Sequence, residues 1–281
     1  MPLDPQRLLN LKIPSRDVAY TDRDVMLYAL AVGCGATGSG EDLHFVYEND
    51  LAVIPSFAHM LAFDDSWLSA GGIDLRQVVH GSLDLTFHHP VAPEGTVDVA
   101  SAIAGLTDKG EGKGGIILQE AVLTQGGHKI CTSLSSLFVR GGGGFGGTIG
   151  KETTAVALPG GPADLEIEVR TLPNQALLFR LLGDRNPLHA DPLVARESGF
   201  DRPILHGACT FGIACVTTLR SFCELDPSRL QRFAARFVGP LYPGETLVFS
   251  FWQSQNQISF RAIAKERGAA VLDSGIAVLN A

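Results

Sequence analysis

GDRNPLHADPLVARESGFDRPILHGACTFGIACVTTL, residues 183–219, is the stretch whose reading decides the fold. From Ile204 on it is apolar on nearly every face and too short to span a bilayer, which predicts a helix buried at the centre of a domain. Upstream, the segment is dense in turn and helix-start signals. Asn174, after Pro173, can cap a helix whose apolar stripe is Ala176, Leu177, Leu181 and Leu182, and Gly183 stops it. Residues 184–190 then read as a loop. Asp191 as N-cap and Pro192 at the first helical position start a short second helix, which Gly199 ends.

Working outward, the chain repeats itself. Residues 87–95, FHHPVAPEG, and 237–245, FVGPLYPGE, match at an offset of 150, and the same offset pairs Gly33 with Gly183. Residues 21–24, TDRD, open the amphipathic stretch before Gly33 as a capping box would, so both halves begin with a helix that ends in glycine. Alternating segments follow at 82–87, 96–106, 115–123 and 129–139, and again at 230–238, 246–254, 257–264 and 269–279. Helix first and antiparallel strands afterwards is an α+β order, which fits a sheet wrapped around one buried helix, twice over. Residues 141–162 hold nine glycines and two prolines and form the natural boundary between 1–140 and 163–281. A phosphate-loop reading fails there, because Gly150-Lys151 is followed by Glu152 and no glycine stands at the required earlier position.

The loop carries the residues suited to chemistry. Asp184 and His189 stand five residues apart, close enough to converge on one water, and a carboxylate beside an imidazole supplies base and acid near neutral pH. Gly207, at a helix start and without a side chain, can present its backbone N–H to a developing oxyanion, with the helix dipole behind it. A lone Asp or His on a loop is ordinarily only solvated, and His206 is read as bonding within the helix start. His88 and His89, before Pro90, read as an exposed turn. At the offset of 150 the first half has Cys34 and Ser39 in place of Asp184 and His189, so it offers no equivalent pair.

GDRNPLHADP followed by GFDRPILHG resembles the signature of the MaoC-like, type 2 (R-specific) enoyl-CoA hydratases. The likeness extends to Val79-His80-Gly81, to the Asp108-Lys109-Gly110 turn and to GGFGG at 143–147, and it covers the chain from about Asp17 onward. It implies a double hotdog fold: two antiparallel sheets, each wrapped around a central helix. By similarity Asp184 and His189 hold and activate water and exchange the α-carbon proton, Asn186 orients the pair, and Gly207 donates to the thioester oxygen. The same likeness places His80, Gly81, Lys109 and Phe237 at the acyl-CoA, Lys109 towards the CoA part, together with Arg185, Pro187 and Leu188 inside the motif. Position 185 is Arg where an aromatic residue is common in relatives, which bears on the shape of the pocket rather than on the chemistry. The resemblance further implies an acyl-CoA substrate, no cofactor and no metal, a setting in fatty-acid metabolism of the β-oxidation type, and a homodimer, although a double hotdog can also mimic such a dimer within one chain.

Two other readings use the same residues. A dehydratase of 3-hydroxyacyl groups on a carrier protein would need the same loop, since the chemistry reverses and only the docking surface differs. His189, Asp191 and His206 also spell a two-histidine, one-carboxylate set of the iron(II) oxygenase kind, although Asp191 is better explained as a helix cap. A non-enzymatic acyl-binding module is disfavoured by the intact Asp184 and His189.

Composition narrows the remainder. With 281 residues and 45% hydrophobic content the chain can bury a large core, and its length favours two domains. A net charge of −8 argues against nucleic acid or an anionic membrane as partner. A CoA ester is anionic too, so a local basic patch must act against the overall charge, with Lys109, Lys113, Arg202 and Arg236 as candidates. Five cysteines without CxxC spacing argue against a metal knuckle or a disulfide framework. The first residues show neither a signal core nor a transit pattern and the last three are not a peroxisomal address, so cytoplasm is the expected compartment.

Overall fold

Both sets of alternating segments become strands, because each presents one apolar face to a common core. The computed structural model describes residues 2–36, 38–153 and 156–280. The first half runs α1 (Pro5–Leu9), β1 (Arg16–Tyr20), α2 (Asp22–Ala31), α3 (Ala58–Ala62), α4 (Trp67–Ala70), β2 (Val78–Phe87), β3 (Gly95–Asp108), β4 (Gly114–Gln125), β5 (His128–Arg140) and β6 (Thr148–Gly150). The second runs β7 (Leu165–Arg170), α5 (Gln175–Phe179), α6 (Pro192–Glu197), α7 (Gly207–Phe222), β8 (Leu230–Phe237), β9 (Thr246–Ser254), β10 (Gln257–Ala264) and β11 (Ala269–Leu279). This is the double hotdog that the resemblance implies. The eight strands expected from alternation are present, and β1, β6 and β7 are additional.

The two sheets are joined into one. The order β1-β3-β4-β5-β2-β8-β11-β10-β9-β7 is the same succession read outward from the β2–β8 seam in either direction, as two copies related by a pseudo-twofold require. Ser82 to Thr86 pair antiparallel with Arg232 to Arg236 across the seam. Asp84 there accepts two bonds from the Arg232 guanidinium, at 2.9 and 2.7 Å. The first helices of the halves also meet: Gln175 Nε2 donates to the Ala31 carbonyl at 2.9 Å, and the Tyr28 and Phe179 rings lie 6.1 Å apart.

The central helices differ. Helix α7 is buried along most of its sixteen residues, as its all-round apolar sequence predicts. Its counterpart at the offset of 150 is broken into a short 3-10 turn over Pro55–Phe57, then α3 and α4. Asp64 interrupts it: its carboxylate accepts from the Ser66 N–H at 3.0 Å and its carbonyl from the Trp67 indole at 3.0 Å, a side-chain turn that competes with helix.

The glycine-rich residues 141–150 are packed against the first half. Gly110, Gly144 and Gly146 donate backbone N–H groups to the Asp108 carboxylate at 2.8, 2.9 and 2.5 Å, and β6 pairs with β3. The five cysteines are all free and buried.

Candidate active site

Gly183 adopts φ 125°, a conformation that side chains rarely tolerate, and so turns the chain sharply out of the helical segment that ends at Leu182. That segment buries Gln175, Ala176 and Phe179, while Leu177 and Leu181 are 53% and 54% exposed. The expected stripe holds in part: Ala176 is buried and Leu182 packs against the core, but Leu177 and Leu181 face outward and Phe179 packs on Tyr28 of the other half instead. Asn174 occupies the N-cap position without a side-chain bond.

Residues 184–190 are held by their own side chains. The Asn186 N–H donates to Asp184 Oδ1 at 3.1 Å, and Asn186 Oδ1 accepts from the Leu188 N–H at 3.0 Å, capping a 3-10 turn over Pro187–His189. Asn186 thus shapes the loop that carries the pair. Asp191 caps α6, accepting from the Leu193 N–H at 2.8 Å, and Gly199 ends it at φ 88°. Asp184 is half-buried, whereas Arg185, Asn186 and Pro187 are exposed.

His189 is buried and its Nδ1 lies 2.8 Å from the Ile204 carbonyl. A carbonyl can only accept, so Nδ1 carries the proton and Nε2 keeps a free lone pair. His206 likewise bonds through Nε2 to the Asp184 carbonyl, at 3.2 Å. It reaches out to the loop, correcting the expectation that it bonds within its own helix start. The two imidazoles stack with centroids 3.7 Å apart, and His206 Nδ1 is buried without a hydrogen-bond partner. Asp184, His189 and His206 bring their ligand-type atoms within 4.8 Å of one another. Asp191 is not in that cluster and is committed to its cap. Asp191 therefore does not join the two histidines as the iron(II) reading expected, and the carboxylate beside them is that of Asp184.

Burial is the largest cause that holds His189 below the usual imidazole value, opposed by the Ile204 bond and the Asp184 charge and assisted by the Arg180 charge. Burial, then the neighbouring His189, pushes His206 down to about 3. Both rings are therefore neutral at physiological pH. Asp65, after α3, has its carboxyl raised mainly by burial and further by the Asp184 charge, which brings the first half to the rim of this cluster.

Gly207, the first residue of α7, has no carbonyl one turn back within its helix to receive its N–H. A Cβ on Gly207 would lie 3.3 Å from the Phe237 ring, so the glycine lets β8 come up against the helix start. Phe237 in turn lies 4.9 Å from the His80 ring, centroid to centroid. His80 and Gly81 sit where β2 shifts register against β5, and Ser135 Oγ lies 2.8 Å from His80 Nε2. Burial pushes the His80 imidazole down to about 4. His80, Gly81, Phe237 and Gly207 thus form one contiguous row across the seam, next to Asp184 and His189.

Lys109 is exposed in the β3–β4 turn, at the same end of the sheet as His80, and Lys113 and Arg236 are exposed as well. Arg202 donates to the Pro243 carbonyl at 3.0 Å, lies over the Tyr242 ring, and borders a groove of about 170 Å³ that reaches His189. His88 and His89 are exposed, as expected. Sequence reasoning missed Arg180, whose Nε is buried without a partner and whose charge acts on both stacked histidines. A lone cation in an otherwise apolar helix was the available signal. It also missed His59, which no pattern in the chain marks.

Residues 18–141 match the family described as MFE-2 hydratase 2 N-terminal domain, and residues 154–274 match the MaoC like domain. The enoyl-CoA hydratase ChsH3 of Mycobacterium tuberculosis is 35% identical, over 100% of both chains. The peroxisomal multifunctional enzyme type 2 of Mus musculus is 37% identical, over 94% of this chain and 37% of its own length. This chain therefore spans little more than a third of that relative. Among solved structures, the MaoC-like dehydratase from Phytophthora capsici superposes with a TM-score of 0.90 at 29% identity, covering 99% of this chain and 98% of that one. With both halves matched in order and a relative matched from end to end, the chain belongs to the MaoC-like, type 2 enoyl-CoA hydratase family in its two-domain form.

Proposed function

We propose that the protein adds water to trans-2-enoyl-CoA esters to give (3R)-3-hydroxyacyl-CoA, and catalyses the reverse dehydration. The observation that carries this reading is the placing of a neutral His189, its Nε2 lone pair free, beside Asp184 at the start of the helix that Gly207 opens. Asp184 and His189 hold the water and take one of its protons while its oxygen bonds to the β-carbon. The carbon–carbon π pair moves towards the carbonyl, whose oxygen gains charge against the Gly207 N–H and the positive end of α7. The proton then goes to the α-carbon, and the thioester carbonyl re-forms. Asn186 acts by shaping the loop. The row of His80, Gly81 and Phe237 lines the acyl side, and Lys109, Arg185, Pro187 and Leu188 meet the remainder of the acyl-CoA.

In this reading residues 163–281 carry the chemistry, 141–162 connect, and 1–140 shape what reaches the site. The broken central helix of the first half supports that division, since a sheet freed of catalysis and of a continuous helix can admit a long or bulky acyl chain. The protein works as a cytoplasmic homodimer without metal or cofactor. Among the described residues no helix is long and apolar enough to cross a membrane.

A panel of trans-2-enoyl-CoA esters, scored by loss of the conjugated double bond and by product stereochemistry, tests the activity. R products, undiminished after chelator, are expected. An S product, or no turnover of any ester, overturns it.

A further inference from the structure

Helix α3 carries a histidine that the proposed reaction does not use. His59 is 6% exposed, its Nδ1 is buried without a hydrogen-bond partner, and burial pushes the imidazole down to about 3, so the ring is neutral. It lies between Phe63, 6.3 Å away between centroids, and His80, 5.6 Å away. His80 lies against Phe237, and Phe237 against Gly207. His59 is therefore the third ring reached from the thioester end on going into the first half. The position equivalent by the offset of 150, Cys209, lies fully buried inside the continuous helix α7. In the first half a polar ring stands at that position, in the short α3 that precedes the break.

We infer that His59 is a specificity residue that hydrogen-bonds an oxygen function, a hydroxyl or ketone, on the tail of the acyl group. The inference rests on the hydratase reading for the direction in which the tail runs. A buried polar atom with no partner is unfavourable, and a ligand that supplies the partner relieves the cost, on a scale of roughly ten- to a hundredfold in binding. A plain alkyl tail leaves Nδ1 unpaired, whereas a tail hydroxyl satisfies it in either tautomer, because a hydroxyl both donates and accepts. A site built around such a group discriminates against the analogue that lacks it more strongly than an apolar pocket discriminates by size.

The test compares trans-2-decenoyl-CoA with the same ester carrying a hydroxyl at successive tail carbons, by kcat/KM. Binding of the corresponding saturated esters, measured by calorimetry, makes the same comparison without turnover. One hydroxyl position is expected to be favoured about tenfold or more, chiefly through KM, with His59→Leu abolishing the preference and His59→Gln keeping part of it. Equal use of plain and hydroxylated esters by the wild type, or an unchanged preference in His59→Leu, overturns the inference. If plain esters turn over with no hydroxyl preference, only this inference fails. If no ester turns over, the hydratase reading fails, and the binding series still decides on His59. Circular dichroism verifies that the variants are folded, and should His59→Leu not fold, the graded loss in His59→Gln carries the test.

Discussion

The His189 imidazole stacks on that of His206, with centroids 3.7 Å apart and planes 26° from parallel. One ring comes from the loop after Gly183 and the other from the residue before α7. Their contact, with the His206 bond to the Asp184 carbonyl, fixes the loop to the helix that offers Gly207. Two neutral rings can stack in this way, but two imidazolium rings would repel, so the arrangement disfavours protonating both at once.

Asp184→Asn and His189→Gln should each lower kcat by about 10²- to 10⁴-fold, the usual contribution of one general acid or base. Asp184 is half-buried at the rim, so Asp184→Asn should leave the melting temperature within a few degrees, whereas His189→Gln, which removes the buried stack on His206, should lower it without unfolding the protein. Steady-state kinetics on trans-2-enoyl-CoA, alongside thermal denaturation, checks both. Near wild-type turnover in either variant would remove that residue from the mechanism.

Gly207→Ala inserts a methyl group 3.3 Å from the Phe237 ring. The ring or the helix start must give by a few tenths of an ångström, enough to misplace an oxyanion donor, whose loss costs about 10²- to 10³-fold in kcat. A drop in kcat is expected with a folded protein. The double variant with Phe237→Leu should recover part of it, and a Gly207→Ala enzyme of normal kcat would contradict the role.

Stability should fall steeply with acid. His59 and His206 titrate near 3 when folded and near 6.5 when unfolded, so between these values the unfolded chain binds more protons. Stability is thus full above about pH 6.5 and is lost as pH falls towards 3, by roughly 1.4 kcal/mol per pH unit for each ring. Urea midpoints measured between pH 7 and 4.5 check the slope. Replacing His59 with Leu should flatten it by about one such increment.

The seam offers a separable test. Asp84 and Arg232 form a two-point pair that is only partly exposed, at 25% and 39% of their side chains. Solvent screening limits the coupling to about 1 kcal/mol. A double-mutant cycle with Asp84→Asn and Arg232→Met, read by denaturation, should return that value. Activity should change little, since neither side chain belongs to the row from Gly207 to His80.

Local rules carried far in this chain. Glycine, proline and Asx punctuation placed α6 and the start of α7, and alternation placed eight strands, because caps and two-residue periodicity depend only on neighbours along the chain. That the loop of Asp184 and His189 lies against the start of α7 was legible for the same reason: these residues and Gly207 lie within 24 residues of one another. Where a partner came from another segment of the chain, reading failed. Leu177 and Leu181 look like a core stripe until α5 turns Phe179 towards Tyr28. His206 looks like a local cap residue until the loop carbonyl of Asp184 comes within reach.

The amino-acid sequence by itself determined that the protein is a doubled α+β fold with one loop that carries Asp184, Asn186 and His189, since repeat, period and motif are properties of order along the chain. Only the tertiary structure decided that the two sheets join edge to edge through β2 and β8, and that Phe237 and His80 meet across that seam. It also decided the protonation of His189, through the Ile204 carbonyl opposite Nδ1, and left His59 buried without a partner beside His80. Burial and long-range pairing set these properties, and neither has a signature in residues that stand next to one another.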